Sequence, residues 1–227
     1  MQTTYSIAID GPAGAGESTI AKALAQSLGI MYLDTGAMYR AFGLYALREG
    51  IDMDDASAVA AGIDGADIEV RFEDGAQRLY LNGEDVTRAI REPEVSLAAS
   101  RVSAVPEVRV KLVALQRRIA EGHSVIMDGR DIGTKVLPNA TLKIFLTASP
   151  EVRAKRRCLE LAQKGMAEPY EKVLAEMIER DYNDTHRAAS PLRAADDARR
   201  VDTSELNLEE SVALMKRMVL ETIGDKA

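Results

Sequence analysis

A short apolar run, a glycine-rich loop and a helical pattern follow one another near the start of the chain, and this order constrains the fold most. Residues 5–10 (YSIAID) predict a buried strand, and residues 18–28 predict a helix that ends at Gly29. The loop between them, residues 11–18 (GPAGAGES), follows the spacing G-x-x-x-x-G-K-S/T with one exception. In this spacing, inward-facing backbone N–H groups and the helix N-terminus bind a phosphate chain. An ordinary glycine turn is the alternative, but the flanking strand and helix favour a phosphate-binding loop.

The exception is Glu17, which stands where the spacing expects lysine. That lysine reaches the β- and γ-phosphates of a bound nucleotide, whereas Glu17 brings an anion to the same place. Two unit charges about 4 Å apart interact by about 4 kcal/mol at an effective dielectric constant of about 20, so the exchange costs several kcal/mol. Lys22 lies about 140° further around the helix and is a poor substitute. Compensation by Lys135 or by an arginine of the basic helical segment 151–167 stays open. We expect an inactivating substitution in an otherwise standard site rather than a new chemistry.

Short apolar runs alternate with longer helical patterns along most of the chain, which indicates a parallel sheet covered by helices on both faces. The further predicted strands are residues 30–33, 124–127, 142–146 and 200–201. The further predicted helices are residues 35–48, 108–121, 150–164, 169–184 and 208–223. We therefore predict an α/β fold with a central parallel sheet of about five strands.

Residues 66–72 and 77–81 break this rhythm, because polar and apolar residues alternate in both segments. An Asp-Gly pair at residues 74–75 and an Asn-Gly pair at residues 82–83 are typical of turns, so we predict a β-hairpin with one face in water. The basic helical segment 151–167 is predicted to form a mobile cap. The whole chain, 1–227, is predicted to be one domain: a core of about residues 1–62, 94–150 and 168–227, a hairpin insert of about residues 63–93, and the cap.

Composition and charge exclude several classes of function. The formal net charge of −7 argues against a general surface for nucleic acid or anionic membrane. Cys158 is the only cysteine, so an intramolecular disulfide and a cysteine metal cluster are excluded and a reducing compartment is favoured. No apolar run approaches the ~20 residues that span a bilayer, and the sequence opens on a strand-like segment rather than a signal peptide. We expect a cytoplasmic monomer that binds neither nucleic acid nor membrane.

Four motifs occur in order along the chain: IDGPAGAGES at residues 9–18, YLDTGAMYRA at 32–41, DGRDIGT at 128–134 and ERDYNDTHRAASPL at 179–192. A phosphate loop alone would indicate only a nucleotide-binding superfamily, but the four motifs together are far more specific. The chain resembles the bacterial cytidylate (CMP/dCMP) kinases over nearly its whole length, hairpin insert included, and departs from them at Glu17. The resemblance implies a P-loop nucleoside-monophosphate kinase fold in which the cap is a short lid. It also implies Mg²⁺-dependent transfer of the γ-phosphoryl group of ATP to CMP or dCMP, at a rate that Glu17 impairs.

The resemblance assigns ATP to the loop and to the first turn of the helix after it. The implied ATP contacts are Gly11, Pro12, Ala13, Gly14, Ala15, Gly16, Glu17, Ser18 and Thr19. Mg²⁺ is predicted at two oxygen-bearing side chains: Ser18 in the loop, and Asp128 at the end of a predicted strand.

Side chains of the other motifs are implied to hold the acceptor nucleotide. The implied CMP contacts are Thr35, Tyr39, Arg40, Ser100, Arg109, Arg130, Asp131, Arg180, Asp184 and Arg187. Those implied to hold the acceptor phosphate are Arg40, Arg130, Arg180 and Arg187. The residues alone leave another interpretation open, in which Thr35 caps a helix, Tyr39 is buried, and Ser100 and Arg109 lie on a helix surface.

Arg180, Asp184 and Arg187 recur at helical spacing, so one helix face presents all three, either as a phosphate and ribose clamp or as an exposed ion-pair ladder. The predicted cap likewise presents Arg153, Arg156 and Arg157 on one face. They would stabilise charge on the transferred phosphoryl group, or they would belong to a solvated basic helix. The predicted catalytic residues are Arg153, Arg157, Asp131 and Arg187.

Two other functions stay open from the sequence. One is a kinase for another small acceptor, such as UMP or shikimate. The other is a catalytically silent nucleotide-binding protein, since Glu17 opposes turnover. For the chain as it stands, we expect Glu17 to weaken ATP binding and turnover and to spare CMP binding.

Overall fold

The computed structural model describes residues 4–73, 75–163 and 165–224, and the chain forms two compact units. The first unit consists of Met1–Tyr32 and Gly122–Ala227, and the second consists of Leu33–Glu121. The strands, in chain order, are β1 (Ser6–Asp10), β2 (Met31–Asp34), β3 (Ile68–Glu73), β4 (Ala76–Leu81), β5 (Glu84–Asp85), β6 (Val125–Gly129), β7 (Leu142–Thr147) and β8 (Arg199–Asp202). The helices are α1 (Glu17–Leu28), α2 (Thr35–Arg48), α3 (Ala56–Gly62), α4 (Pro93–Val102), α5 (Pro106–Ala120), α6 (Pro150–Gln163), α7 (Tyr170–His186) and α8 (Leu208–Ile223).

Strand β1 lies at the centre of a five-stranded parallel sheet with the strand order β2-β6-β1-β7-β8. On one side of β1, Ile7 lies opposite Ile126 of β6, and on the other side it lies opposite Leu142 of β7. Ile7, Ala8 and Ile9 are fully buried, because strands covered on both faces need apolar residues at every position. The predicted α/β fold with a central parallel sheet is therefore confirmed.

Helices α1 and α8 complete the main hydrophobic core of the first unit. Ile20 and Leu24 of α1 and Met215 and Val219 of α8 belong to one buried cluster with residues of the sheet. The i, i+4 spacing within each helix places both side chains on the inward face. The segment in which β1 leads through the loop into α1 is thereby joined to the core by the packing of α1.

Helices α6 and α7 pack through a smaller apolar cluster. Ala154 and Leu161 of α6 and Val173 and Met177 of α7 are its buried members. Helix α6 covers most of the predicted cap, whose residue 164 lies outside the described residues. The mobility of this cap stays a prediction.

In the second unit, helix α2 passes very close to helix α4. Gly43 of α2 permits this approach, since a Cβ at that position would lie 2.8 Å from the backbone nitrogen of Ala99. Helices α3 and α4 were not predicted. Helix α3 contains only 7 residues, too few to show a clear period. The buried residues of α4 do recur at helical spacing, so the signal for this helix was present in the sequence: Val95, Ala98, Ala99 and Val102.

The predicted hairpin is present in the second unit as strands β3 and β4, with Ile68 opposite Leu81. Strand β5 follows through Asn82 and Gly83, whose positive φ angles of 49° and 83° match the turn that an Asn-Gly pair favours. In the other predicted turn, at residues 74–75, position 74 lies outside the described residues. The predicted insert, residues 63–93, lies within this unit.

Within the described ranges, no helix combines the length and the apolar composition that a bilayer crossing requires.

Candidate active site

The loop of residues 11–16 leaves β1 and turns directly into α1, with the tight backbone that its glycine spacing requires. Gly14 and Gly16 have φ angles of 81° and 100°, a conformation in which other residues are strained. Gly11 allows close approach to β7, because a Cβ there would lie 2.3 Å from the carbonyl oxygen of Leu146. Inside the loop, the N–H group of Ala15 donates to the carbonyl of Pro12 at 3.2 Å. The backbone path thus depends on glycine at several of the predicted ATP contacts.

Glu17 begins α1 and lies almost fully inside the protein, with only 5% of its surface exposed. Its side chain folds back along the loop, and Oε1 lies 2.9 Å from the position that a Cβ on Gly11 would take. Burial raises the pKa of the Glu17 carboxyl, although the guanidinium of Arg130 and, to a smaller extent, those of Arg153 and Arg180 oppose this effect. An acidic side chain therefore lies against the loop where the spacing expects a cation.

Arg130, which follows β6, connects Glu17 to helix α7 through ion pairs. Its Nη1 lies 3.4 Å from Glu17 Oε1, and its Nε donates to Asp184 Oδ2 at 3.0 Å. Burial disfavours the charged form of Arg130, but the carboxylates of Glu17 and Asp184 outweigh this and raise its pKa. Asp184 also lies 3.6 Å from Nη1 of Arg187, the residue that ends α7. Asp184 and Arg187 of the sequence-predicted face therefore form a largely buried ion-pair chain with Arg130 rather than an exposed ladder. Arg180, which is partly buried, acts on Glu17 through its charge.

Asp128 lies at the end of β6 and is oriented by two hydroxyl groups. Ser18 Oγ donates to its Oδ2 at 2.6 Å, and the hydroxyl of Tyr32 donates to its Oδ1 at 2.8 Å. The predicted pair of metal ligands, Ser18 and Asp128, is therefore brought together. Tyr32 was missed as a site residue. Its place as the first residue of the motif at residues 32–41, within the predicted second strand, was the available signal.

These oxygen donors suit Mg²⁺, which prefers hard ligands and usually binds through one or two carboxylates together with phosphate and water oxygens. Among the described residues, no group of three or more His, Cys, Asp or Glu side chains forms a metal-binding cluster. A metal ion at Ser18 and Asp128 would therefore depend on nucleotide phosphate oxygens for much of its coordination.

Asp10, the last residue of β1, holds the turn that follows β6 and was not predicted as a site residue. Its two carboxylate oxygens accept hydrogen bonds from the backbone N–H groups of Ile132 and Gly133, at 2.6 and 2.7 Å. Asp10 is buried, and burial raises its pKa to about 6 despite these two hydrogen bonds. The same turn begins after Asp131, which is also buried, so Asp10 positions the segment that carries Arg130 and Asp131.

Asp10 is expected to make the free energy of unfolding depend on pH between about 4 and 6. Its folded-state pKa of about 6 lies above the unfolded value of 3.8, so its stabilising contribution is complete below about pH 4 and is lost as pH rises to about 6. At about 1.4 kcal/mol per pH unit, the loss over this range is about 3 kcal/mol. Urea denaturation at several pH values measures it, by comparing the unmodified chain with Asp10→Asn. A stability difference between the two proteins that stays constant across this range would refute the expectation.

The predicted cap arginines of α6 do not share one environment. Arg153 is 2% exposed and donates to the carbonyls of Ala13 and Ala148 and to both carboxylate oxygens of Asp181. Arg157 is partly exposed and pairs with Glu160 at 2.8 Å. Arg153 therefore contacts the loop backbone in this structure, and the roles of both arginines in phosphoryl transfer stay predictions.

In the second unit, Asp34 lies at the start of α2 and organises the motif around Thr35. Asp34, rather than Thr35, caps the helix by accepting from the N–H group of Ala37 at 2.8 Å. Its Oδ2 lies 2.9 Å from Nη2 of Arg91 and 3.6 Å from Nη1 of Arg40. Burial raises the pKa of Asp34, but Arg40 and Arg91 outweigh this and lower it. Arg91 was missed, since it belongs to none of the quoted motifs.

The remaining predicted contacts of this unit lie on α2, α4 and α5. Arg109 is buried, lies over the ring of Tyr39 at 5.3 Å from its centroid, and donates to the carbonyl of Ser103 at 3.1 Å. Ser100 lies one helical turn before Ser103, whose hydroxyl donates to the Ser100 carbonyl at 2.8 Å. Tyr39 and Arg109 are therefore brought together. Arg109 is buried and does not lie on an exposed helix surface.

The family model and the curated relatives that match this chain carry the same description. A family model described as cytidylate kinase matches residues 7–221. A curated cytidylate kinase from Caldicellulosiruptor bescii is 54% identical over 205 residues, which cover 90% of this chain and 91% of that protein. A curated cytidylate kinase from Mycobacterium leprae is 50% identical over 223 residues, which cover 98% of each protein.

Among solved structures, an uncharacterised protein from Eubacterium ventriosum superposes with a TM-score of 0.53. The match covers 95% of this chain and 98% of that protein at 12% sequence identity, so it bears on the fold alone.

Proposed function

Because the chain belongs to the cytidylate kinase family, we propose that it transfers the γ-phosphoryl group of ATP to CMP or dCMP and forms ADP with CDP or dCDP. The observation that supports this most strongly is in the first unit, where Asp128 is hydrogen-bonded to Ser18 of the loop and Arg130 is paired with Glu17. A phosphate loop with metal-binding oxygens and a guanidinium beside it supplies most of the groups that phosphoryl transfer requires, and the lysine that Glu17 replaces is the exception.

The donor ATP would bind along the loop, at the predicted contacts from Gly11 to Thr19. Backbone N–H groups and the N-terminus of α1 favour phosphate there, whereas Glu17 opposes it. Ser18 and Asp128 would hold Mg²⁺, which when bound neutralises charge on the phosphate oxygens. The hydroxyl of Tyr32, which donates to Asp128, would keep that carboxylate oriented.

The acceptor CMP would be held by the residues that the family motifs imply. Thr35, Tyr39, Ser100 and Arg109 would contact the nucleoside, with Asp131 at its cytosine–ribose end. The guanidinium groups that would hold its phosphate are Arg40, Arg130, Arg180 and Arg187. The acceptor phosphate is already an anion, so an in-line transfer requires orientation and charge stabilisation rather than a strong general base.

The transferred phosphoryl group needs positive charge around it as it moves. Arg153 and Arg157 of α6 and Arg187 would supply that charge, and a lid formed by α6 would exclude water from the donor. Asp184 supports this role, because it lies 3.6 Å from Arg187 and would keep its guanidinium oriented. We also propose that the protein acts as a cytoplasmic monomer.

The acceptor assignment can be tested in the Glu17→Lys protein. We expect kcat/KM for CMP and dCMP to exceed that for UMP by about tenfold or more, because a site that hydrogen-bonds the cytosine amino group leaves its polar groups unpaired with uracil. A coupled assay of ADP formation measures this ratio. The control is the Glu17→Lys protein that also carries Asp128→Asn. A loss of ADP formation in this protein would show that the activity comes from the candidate site. Equal use of UMP would remove the cytidine assignment.

A catalytically silent nucleotide-binding protein is the second candidate function. The buried carboxylate of Glu17 against the loop is the specific observation that favours it. Turnover of the unmodified chain, measured beside its Glu17→Lys variant, separates the two candidates.

A further inference from the structure

Glu17 is ion-paired with Arg130, a cation that the proposed reaction needs at the acceptor phosphate. Arg130 Nη1 lies 3.4 Å from its carboxylate, and the Nε of the same guanidinium is bonded to Asp184. A guanidinium offers five N–H donors in one plane, so its orientation is set by the acceptors that it meets. The two carboxylates therefore hold Arg130 in one orientation against the loop.

The charges of this cluster cancel in the chain as it stands. Glu17 and Asp184 supply two negative charges, and Arg130 and Arg187 supply two positive charges, giving a sum of zero. A lysine at position 17 would change that sum to plus two, which matches a phosphate monoester of about −1.5 to −2 at pH 7. Glu17 thus lowers the positive charge that these four positions offer to an acceptor phosphate.

We propose that Glu17 is an internal competitor for the acceptor phosphate, whose carboxylate occupies Arg130 until CMP displaces it. The inference rests on the proposed function, in which Arg130 contacts the phosphate of CMP. It replaces the sequence-based prediction that Glu17 spares CMP binding. Glu17 is a positioning residue in this scheme, because it acts on the acceptor through Arg130.

The competition affects only ligands that carry a phosphate. When CMP binds, its phosphate has to replace a carboxylate that is already desolvated and ion-paired, so part of the favourable interaction is lost. Cytidine lacks the phosphate and does not compete for Arg130. The ratio of the Kd for cytidine to the Kd for CMP therefore measures how much binding the phosphate contributes.

The experiment compares the unmodified chain with Glu17→Gln, which keeps the size of the side chain and removes its charge. By calorimetric titration we expect Kd for CMP to fall by roughly tenfold or more, whereas Kd for cytidine stays unchanged. Glu221→Gln is the matched control. It removes the same charge from an exposed residue of α8, and it is expected to change neither value. Glu17→Lys is a second variant, in which CMP is expected to bind more tightly still.

A double-mutant cycle tests whether the effect passes through Arg130. In an Arg130→Met background, Glu17→Gln is expected to lower the Kd for CMP much less than in the unmodified chain, because the contested partner is gone and only the direct charge of Glu17 remains. Equal CMP affinity of the unmodified chain and Glu17→Gln would overturn the inference, and so would a gain of the same size in the Arg130→Met background. If no variant, Glu17→Lys included, binds CMP more tightly than cytidine, the proposed function fails as well.

Discussion

The replacement Glu17→Lys is expected to raise the turnover of CMP by about a thousandfold or more. It removes a buried anion from beside the phosphate loop and supplies the cation that the β- and γ-phosphates of ATP require. A unit charge pair about 4 Å apart contributes about 4 kcal/mol at an effective dielectric constant of about 20. Each 1.4 kcal/mol of activation free energy is about tenfold in rate. A coupled assay of ADP formation, with CMP as the acceptor, measures the change in kcat.

Glu17→Gln is the matched control for this change, because it removes the charge of Glu17 without supplying a cation. Its turnover is expected to lie between the values for the other two proteins. Equal turnover of the unmodified chain and Glu17→Lys would contradict the prediction, and another cation such as Lys135 would then serve the phosphates. If neither protein turns over while both bind ATP and CMP, the silent nucleotide-binding protein is the better account.

Arg153→Met is expected to lower the free energy of unfolding by about 3 kcal/mol or more. The substitution keeps most of the apolar stem but removes the guanidinium, which is buried and bonded to Ala13, Ala148 and Asp181. Two backbone carbonyls and one carboxylate then lose their charged donor, and removal of one partner from a buried pair costs far more than the pair itself contributes. Urea denaturation at neutral pH measures the loss.

Arg157→Met, one turn further along α6, is the control for the same chemical change at an exposed position. Its ion pair with Glu160 is half exposed, so the expected loss is below about 1 kcal/mol. Similar losses in the two variants would refute the structural role of Arg153. A loss of turnover without a loss of stability in Arg153→Met would instead favour the predicted role in phosphoryl transfer.

The sequence predicted the elements that depend on local pattern. The apolar runs before the loop and around residues 124–127 and 142–146 are strands of the sheet, since continuous apolar residues mark strands buried on both faces. Helix α2 was predicted with its observed bounds, Thr35–Arg48. Helix α3 was missed because a segment of 7 small residues carries little periodicity, whereas α4 was missed although its buried residues recur at helical spacing.

The candidate site was predictable where the residue type itself indicates a role and unpredictable where the role depends on a tertiary contact alone. Ser18 and Asp128 were paired in advance, since each is an oxygen donor in a recognisable motif. Asp10 and Tyr32 were missed, although each lies in a quoted motif. Their roles depend on contacts with segments more than ninety residues away.

By itself, the sequence determined the strand–loop–helix order, the family motifs and the unusual residue at position 17, because each is a matter of residue type and short spacing. Only the tertiary structure decided what surrounds that residue. It buries the Glu17 carboxylate, brings it 3.4 Å from Arg130 across 113 positions of sequence, and ties Arg130 to Asp184. Burial and ion pairing depend on which distant segments meet at the edge of the sheet, and spacing along the chain does not encode them. The sequence shows that the expected lysine is absent, and only the folded protein shows that the residue in its place is paired with Arg130.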